Sequence, residues 1–246
     1  MTGPSGCGKT TLCRCFNGLI PNFYGGEMKG DIEVAGLSVR NHATSELAQY
    51  VGFVFQNPEN QLFALSVEKD IAFGLENLGI PRVDMRRRVD WAMDLVGISQ
   101  LKDKAPFELS GGQQQRVAIA CILAMQPKIM VLDEPTSFLD PIAANTLFSI
   151  VRQLNVELGL TTIVVEHRLD LLSRYANRVL VMDCGRIAAD GAPRSIFLSK
   201  QVEALGIGVP KIIKLHQMLQ SQGLDLGETP VSVDELANEI RRRVAK

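Results

Sequence analysis

Cysteine is scarce in this chain and shows no pairing pattern. The five cysteines are odd in number, and no two of them have the C-x-x-C spacing that typically binds zinc. A structural zinc site of that type is therefore excluded, and we expect the cysteines to be reduced thiols of a cytoplasmic protein. They are Cys7, Cys13, Cys15, Cys121 and Cys184.

Long apolar runs and a surplus of one charge are also missing. The longest apolar run, residues 117–125, is far shorter than the roughly 20 residues needed to cross a bilayer, and no signal peptide precedes it. Lysine and arginine total 26 against 27 aspartates and glutamates, which disfavours nucleic acid as a partner. We expect one domain with an appendage, or two small domains, that can dock on a membrane partner.

A glycine-rich loop stands at the start of the chain. Residues 3–10 match the phosphate-loop pattern G-x-x-x-x-G-K-[ST] at every fixed position. The glycines let backbone N–H groups turn inward around phosphates, Lys9 can reach the terminal phosphates, and the Thr10 hydroxyl can bind Mg²⁺. The nucleotide-binding residues predicted in this way are Gly3, Pro4, Ser5, Gly6, Cys7, Gly8, Lys9, Thr10 and Thr11.

A phosphate loop normally follows a buried strand, whereas only Met1 and Thr2 precede this one. We expect either that the natural start lies upstream or that the chain is a fragment, with the first strands missing.

A second informative stretch runs from Leu109 to Asp140. Ser110 is a good N-cap, and two glycines after it leave no side chain in front of the first N–H groups of a helix predicted over 113–124, which favours an anion there. Residues 129–132 predict a strand buried on both faces, with Asp133 and Glu134 at its carboxyl end. Adjacent strand residues point to opposite faces, so one carboxylate can hold a metal while the other meets a water molecule.

The other elements alternate between strands and helices. The pattern predicts a hairpin over 31–39, a strand over 51–55 that ends at Gln56, and a helical insert over 67–78 and 83–96. Farther along it predicts a helix from Asp140 and Pro141 to Gly159, a buried strand over 161–165 that delivers Glu166 and His167 to the edge of Asp133, and a hairpin over 179–189. Tail helices are predicted over 194–199, 210–222 and, from a capping box at Ser232, 233–243.

Each of these motifs has an ordinary structural interpretation when it stands alone. Gln56 could be a surface amide, His167 a structural histidine, and Ser110 with its glycines a plain loop before a helix. Their occurrence together with a phosphate loop, in this order, favours handling of a nucleoside triphosphate.

The ordered set resembles the nucleotide-binding subunit of ABC transporters over nearly the whole chain. In that family the matching segments are the Walker A loop, the Q-loop glutamine Gln56, the signature motif, the Walker B strand with Asp133 and Glu134, the D-loop at 137–140 and the switch histidine His167. The signature residues are Leu109, Ser110, Gly111, Gly112 and Gln113.

Three segments resemble one branch of that family, the energy-coupling factor (ECF) transporters, which import vitamins, cobalt and nickel. These are residues 56–63, residues 71–77 and the tail with Pro210, Gly223, Leu224 and 232–236. The resemblance implies an α/β P-loop NTPase fold of ABC type: a mostly parallel sheet core with antiparallel β hairpins, a helical subdomain and a small C-terminal helical extension. It places an ATPase domain at 1–199, with the helical subdomain at about 57–108, and the extension at 200–246.

The resemblance also implies a mechanism. Two ATPase subunits, identical or paralogous, would enclose ATP between the phosphate loop of one and the signature motif of the other. Thr10, Gln56 and Asp133 would bind Mg²⁺, Glu134 would act as general base, and His167 would contact the γ-phosphate side. A membrane coupling subunit and a substrate-binding membrane subunit would hold the ATPase at the cytoplasmic face of the cell membrane. The adenine-stacking aromatic residue of the family cannot be assigned.

Two other interpretations remain open. One is a non-transport ABC ATPase acting on nucleic acid or ribosomes, although such proteins commonly carry two cassettes or a long coiled coil, and neither is evident here. The other is an inactive, N-terminally truncated cassette.

Overall fold

The computed structural model describes residues 1–224 and 226–244. The strands are β1 (Glu33–Val34), β2 (Leu37–Ser38), β3 (Val51–Val54), β4 (Ile129–Asp133), β5 (Thr161–Val165), β6 (Val179–Asp183) and β7 (Arg186–Gly191). The first six helices are α1 (Lys9–Phe16), α2 (Leu19–Asn22), α3 (Thr44–Leu47), α4 (Val67–Asn77), α5 (Arg82–Val96) and α6 (Gly111–Met125). The others are α7 (Pro141–Leu158), α8 (Leu169–Tyr175), α9 (Pro193–Phe197), α10 (Lys200–Ala204), α11 (Lys211–Ser221) and α12 (Val233–Val244).

The chain forms two compact units. Residues 10–165 form one, called here the central unit, and residues 1–9 together with 166–246 form the other, called the terminal unit. Each unit has a sheet or hairpin of its own, and each is described separately below.

A parallel sheet of order β3-β4-β5 forms the centre of the central unit. β4 lies between its two neighbours, and Met130, Val131 and Leu132 are fully buried, as predicted for this apolar run. The strand predicted at 161–165 is present as β5, but it is less buried than expected: Thr161 is exposed, and only Val165 is fully buried. The other edge strand of the sheet, β3, is buried throughout.

Several helix ends of the central unit lie at capping residues that the sequence indicates, whereas α2 and α3 were not predicted. The Ser66 side chain accepts a hydrogen bond from Lys69 N at the start of α4, and Asp140 Oδ1 accepts from Ile142 N and Ala143 N at the start of α7. Gly159 ends α7 in the left-handed conformation. The hairpin predicted over 31–39 is present but shorter as a ladder, because β1 and β2 pair over two residues each.

In the terminal unit an antiparallel hairpin, β6-β7, packs on an apolar cluster. Val181 and Phe197 belong to this cluster together with Val202 and Ile213 of the tail. Residues on both sides of position 199 thus share one core, and the predicted boundary at 199/200 stays a prediction. Three positions of the predicted extension, 225, 245 and 246, lie outside the described residues. Helices α8 and α10 were not predicted.

Among the described residues, no helix is both long and apolar enough to cross a membrane.

Candidate nucleotide site

The phosphate loop belongs to the terminal unit and is fixed to its hairpin by backbone hydrogen bonds. Thr2 N donates to Leu180 O at 2.9 Å, Met182 N donates to Thr2 O at 2.9 Å, and Gly185 N donates to Cys7 O at 3.0 Å. Thr2 therefore forms a parallel bridge with Val181, so the residues before the loop lie in an extended, strand-like pairing. The β6-β7 hairpin is distant from the loop in the sequence, yet it holds the loop through these hydrogen bonds.

Glycine is required at Gly3 for two reasons. Its φ is +150°, and a Cβ built there would lie 2.1 Å from Met182 O, a distance that no side chain can accommodate. The backbone of the loop can run this close to β6 only without a side chain. Gly6 and Gly8 also have positive φ values, +77° and +100°. The loop is thus shaped to present its amides rather than its side chains, as an anion site requires.

The Lys9 amine is folded back into the loop. Lys9 is 5% exposed, and its Nζ donates to Gly3 O and Pro4 O at 2.9 Å each, with Cys7 Sγ at 3.7 Å. The charge therefore lies inside the loop and is held by carbonyl oxygens. An entering phosphate group, which carries a full negative charge, can replace these neutral acceptors.

In the central unit the structure brings Thr10 and Asp133 together from distant parts of the sequence. Thr10 Oγ1 donates to Asp133 Oδ1 at 3.1 Å, and Asp133 is only 3% exposed at the end of β4. A hydroxyl and a carboxylate are oxygen ligands that suit Mg²⁺. The described residues contain no group of three or more His, Cys, Asp or Glu side chains able to hold a metal ion.

The orientation of Glu134 differs from the one expected from the sequence. It was expected on the opposite face of the strand from Asp133, but β4 ends at Asp133 and Glu134 has φ of +47°. This left-handed backbone, uncommon for a residue with a side chain, turns the chain out of the strand. Gln56 Nε2 donates to Glu134 Oε2 at 2.7 Å, and Ser137 Oγ lies 3.3 Å from the same oxygen. The contact between Gln56 and Glu134 was not predicted.

The signature segment forms the predicted helix start. Ser110 Oγ accepts from Gln113 N at 3.4 Å, and Gln113 Oε1 accepts from Ser110 N at 3.0 Å, which completes a capping box. A Cβ at Gly112 would lie 3.0 Å from Leu139 Cδ2, so the D-loop packs closely against this helix start. Leu109 is buried. α6 begins at Gly111, two residues earlier than predicted.

Glu166 and His167 directly follow β5 in the sequence and belong to the terminal unit. Asp133 pairs in register with Val165, so the strand ends are aligned as predicted. Glu166 is buried, and its Oε1 accepts from His167 N and Arg168 N at 2.9 and 3.0 Å. This carboxylate fixes the backbone that carries the exposed His167 side chain.

Comparison with known proteins agrees with these observations. The sequence profile of the ABC transporter family matches residues 1–137, more than half of the chain. The chain belongs to the ABC transporter family. It is 44% identical to a putative ABC transporter ATP-binding protein of Pyrococcus abyssi, over 98% of this chain and 86% of that protein. It is 42% identical to the energy-coupling factor transporter ATP-binding protein EcfA1 of Bacillus subtilis, over 98% of this chain and 84% of that protein.

Two solved structures show the same cassette fold. One is CbiO1 from Clostridium perfringens, described as part of the ABC transporter complex CbiONQ, with 36% identity and a TM-score of 0.74 over 90% of this chain and 85% of that one. The other is a dimeric ATP-binding cassette bound to ADP and inorganic phosphate, with 26% identity and a TM-score of 0.69 over 78% of this chain and 83% of that one. The P-loop NTPase fold of ABC type is therefore confirmed, and the chain is an ABC ATPase that binds and hydrolyses ATP.

This ABC ATPase also carries an apolar groove that the sequence did not predict. The groove lies in the central unit, has a volume of about 770 Å³, and is lined by residues of α3, α4 and α6, by residues 48 and 49 after α3, and by Gln61 and Phe63 before α4. Phe63 and Phe73 stack edge to face across 4.7 Å and are 65% and 44% exposed. Both residues lie in segments that resemble the ECF branch.

Asp70 lies in the wall of the groove. It is 4% exposed, and its Oδ1 accepts from Phe63 N and Ala64 N at 3.1 Å each. Its Oδ2 is buried and has no hydrogen-bond partner among the described residues. A buried carboxylate oxygen without a donor is energetically costly, so this oxygen is a site where an added donor would stabilise the protein. The sequence signal, an acidic residue in the first turn of a predicted helix, was too ordinary to reveal it.

Proposed function

We propose that the chain is the ATP-hydrolysing subunit of an ECF-type importer, which couples ATP hydrolysis to the uptake of a vitamin or a transition-metal ion. The observation that carries this proposal is the identity with EcfA1, which extends over 98% of the chain. The likeness to CbiO1, a component of a multisubunit transporter complex, supports it.

Within this function, Lys9 and the amides of residues 3–11 bind the ATP phosphates. On nucleotide entry the Lys9 amine exchanges the carbonyl oxygens of Gly3 and Pro4 for phosphate oxygens. Thr10 and Asp133, already 3.1 Å apart, would hold Mg²⁺ together with the Gln56 side chain. The cation would neutralise charge that develops on the phosphates.

Glu134 is the general base, because its carboxylate stands directly after the metal-binding carboxylate and is oriented by two side chains. In the structure Gln56 occupies one of its oxygens, so Gln56 must release Glu134 before that oxygen can accept a proton from water. Gln56 therefore holds Glu134 in the structure and would have to turn away from it in order to ligate Mg²⁺. His167 contacts the γ-phosphate side.

The partner site is supplied by a second ATPase subunit, a second copy or a paralogue. The capped helix start at Leu109–Gln113 presents backbone amides to the ATP bound on the partner's phosphate loop, where the helix dipole favours an anion. ATP then holds the two subunits together, and hydrolysis releases them.

The groove of the central unit receives a helix of the membrane coupling subunit. Phe63 and Phe73 offer apolar contact, and the buried Asp70 oxygen accepts a hydrogen bond from a basic side chain of that helix. A substrate-binding membrane subunit completes the importer, and the ATPase lies at the cytoplasmic face of the membrane. Nucleic acid is not a partner.

Purification of the tagged chain from its own cells tests this proposal. We expect an integral membrane protein to copurify, and we expect Phe73→Ala to reduce its recovery because the docking groove loses apolar area. Val83→Ala is the matched control, since Val83 is 84% exposed on α5 and does not line the groove. Recovery of ribosomes or nucleic acid in place of a membrane protein would favour the non-transport alternative.

A further inference from the structure

Two cysteines of the terminal unit meet at the phosphate loop. Cys7 lies in the loop, and Cys184 lies in the turn between β6 and β7. A hydrogen bond from Gly185 N to Cys7 O joins the two segments at 3.0 Å, and a Cβ built on Gly8 would lie 3.8 Å from Gly185 Cα. Cys184 directly precedes Gly185, and the charge of Cys7 is, after that of Asp183, among the smaller causes that raise the pKa of Cys184, so the two cysteines are neighbours at this contact.

The hydrogen bond limits the distance between the two cysteines. Cys7 Cα and Cys184 Cα are each two covalent bonds from an atom of the 3.0 Å contact between Gly185 N and Cys7 O, so they lie at most roughly 8 Å apart. A disulfide spans Cα distances of about 4.4–6.8 Å. Rotation of both side chains, with a small shift of the turn that carries Cys184, is enough to link them.

The two thiols differ in access. Cys184 is exposed, with a left-handed backbone at φ +44°, whereas Cys7 is 6% exposed. The carboxylate of Asp183, whose Oδ1 is 3.6 Å from Cys184 Sγ, raises the pKa of Cys184. In the central unit, burial and then the Asp133 charge raise the pKa of Cys13 to about 12, so that thiol is unreactive. Cys184 is thus the accessible thiol and Cys7 is its buried neighbour.

We propose that Cys7 and Cys184 form a reversible disulfide that switches off nucleotide binding. The oxidant is a small disulfide of the glutathione type. The Cys184 thiolate attacks one of its sulfurs, its S–S bond breaks, and the first small thiol leaves. The Cys7 thiolate then attacks Cys184 Sγ in this mixed disulfide, forms the Cys7–Cys184 bond and displaces the second small thiol. Two electrons and the two thiol protons pass to the two released thiols.

The bond would act on the loop directly. Nucleotide entry requires Lys9 to leave Gly3 O and Pro4 O, and the loop around Cys7 has to adapt to the phosphates. A link from Cys7 to the turn after β6, which is itself paired with Thr2, restrains this movement. We expect ATP affinity to fall at least about tenfold, equivalent to losing one hydrogen bond to a charged group. This inference rests on the proposed assignment of the loop to phosphate binding.

The test treats the full-length chain with glutathione disulfide, maps the linked peptides by mass spectrometry, and measures ATP affinity by calorimetry before oxidation, after it and after dithiothreitol. We expect a Cys7–Cys184 peptide, a loss of affinity and full recovery on reduction. Cys184→Ser should bind ATP normally before and after treatment. Cys15→Ser, which removes another thiol near the loop in sequence, should respond as the parent protein does.

The kinetics give a second measurement. Because Asp183 raises the pKa of Cys184, linkage should accelerate as the pH rises from 7 to 9, and Asp183→Asn should accelerate it at pH 7.

Several results would overturn the switch: no Cys7–Cys184 link, a linked form with unchanged ATP affinity, or the same loss of affinity in Cys184→Ser. Failure of the reduced protein to bind ATP would instead refute the phosphate-loop assignment itself.

Discussion

At the residue scale, the chemistry of the site depends on how Glu134 is held. Its backbone is left-handed, its carboxylate accepts a hydrogen bond from Gln56, and Ser137 lies beside the same oxygen. These contacts orient one carboxylate oxygen, while Asp133 is committed to Thr10. Two adjacent carboxylates are therefore held in different environments, as expected if they perform different tasks.

Glu134→Gln should separate binding from hydrolysis. The amide keeps the shape of the side chain but cannot accept a proton from water, so ATP hydrolysis should fall by roughly 10²–10⁴ while ATP affinity persists. Phosphate release and nucleotide calorimetry measure the two quantities. Glu157→Gln is the control, because Glu157 is exposed on α7 and bonds only to Gln153 of the same helix among the hydrogen bonds described. Hydrolysis at the parent rate in Glu134→Gln would show that the base lies elsewhere.

The sequence predicts which residues carry the chemistry better than it predicts their contacts. Lys9, Thr10 and Asp133 are recognisable because phosphate and metal binding need specific residue types at fixed spacings. The hydrogen bond between Gln56 and Glu134 and the buried oxygen of Asp70 are not recognisable. They arise from tertiary packing of residues that are distant in the chain or whose local pattern is ordinary.

At the element scale, predictions succeed where a helix end carries its own chemical signal. Ser110, Asp140 and Gly159 mark the bounds of α6 and α7 because their side chains or backbone satisfy the helix termini locally. At the starts of α8 and α10 neither Arg168 nor Ser199 forms a side-chain cap, and both helices were missed. The exposure of β5 was also missed, because burial depends on neighbouring elements.

Packing of β3 on α6 gives a prediction about stability. A Cβ built on Gly52 would lie 2.1 Å from Ile122 Cγ2, so the strand can approach the helix only without a side chain. Gly52→Ala should lower the free energy of unfolding by about 1–3 kcal/mol, the usual cost of overpacking a core. Urea unfolding measures this.

Gly208→Ala is the control for this experiment. Its Cβ would meet Leu169 Cδ1 at an ordinary 3.7 Å, and its φ lies outside the left-handed region. This variant should unfold close to the parent midpoint. An unchanged midpoint for Gly52→Ala would mean that the strand and helix are less tightly packed than the structure describes.

At the scale of the whole molecule, the chain leaves the terminal unit after residue 9 and returns to it at residue 166. No local sequence pattern predicts this return of the chain, because the pairing of Thr2 with Val181 joins segments that are distant in the sequence. Recognition of the ordered motifs nevertheless identifies the fold. The set of motifs is specific to one family, even though each of them alone has an ordinary interpretation.

The two segments of one chain that we propose to bind anions, the phosphate loop and the start of α6, lead to a prediction about the assembly. If ATP lies between the phosphate loop of one copy and the signature helix of another, Lys9→Ala and Ser110→Arg should each be inactive. The first loses the charge that binds phosphate, and the second places a bulky side chain where the partner's nucleotide approaches the helix start. Random mixing of the two inactive variants should restore about a quarter of the parent ATPase activity. Half of the dimers would be mixed, and each mixed dimer would have one intact site of two.

The control for this experiment mixes two Lys9→Ala preparations that carry different tags. These preparations exchange subunits in the same way, but none of their dimers contains an intact site. Their mixture should stay inactive, while tag capture shows that exchange has occurred. If the Lys9→Ala and Ser110→Arg mixture exchanges and stays inactive, sites shared between copies of this chain are contradicted. Repeating the mixing with a paralogous ATPase that copurifies with the chain then asks whether that protein supplies the second half of the site. Recovery of activity in that case would identify the assembly as a heterodimer.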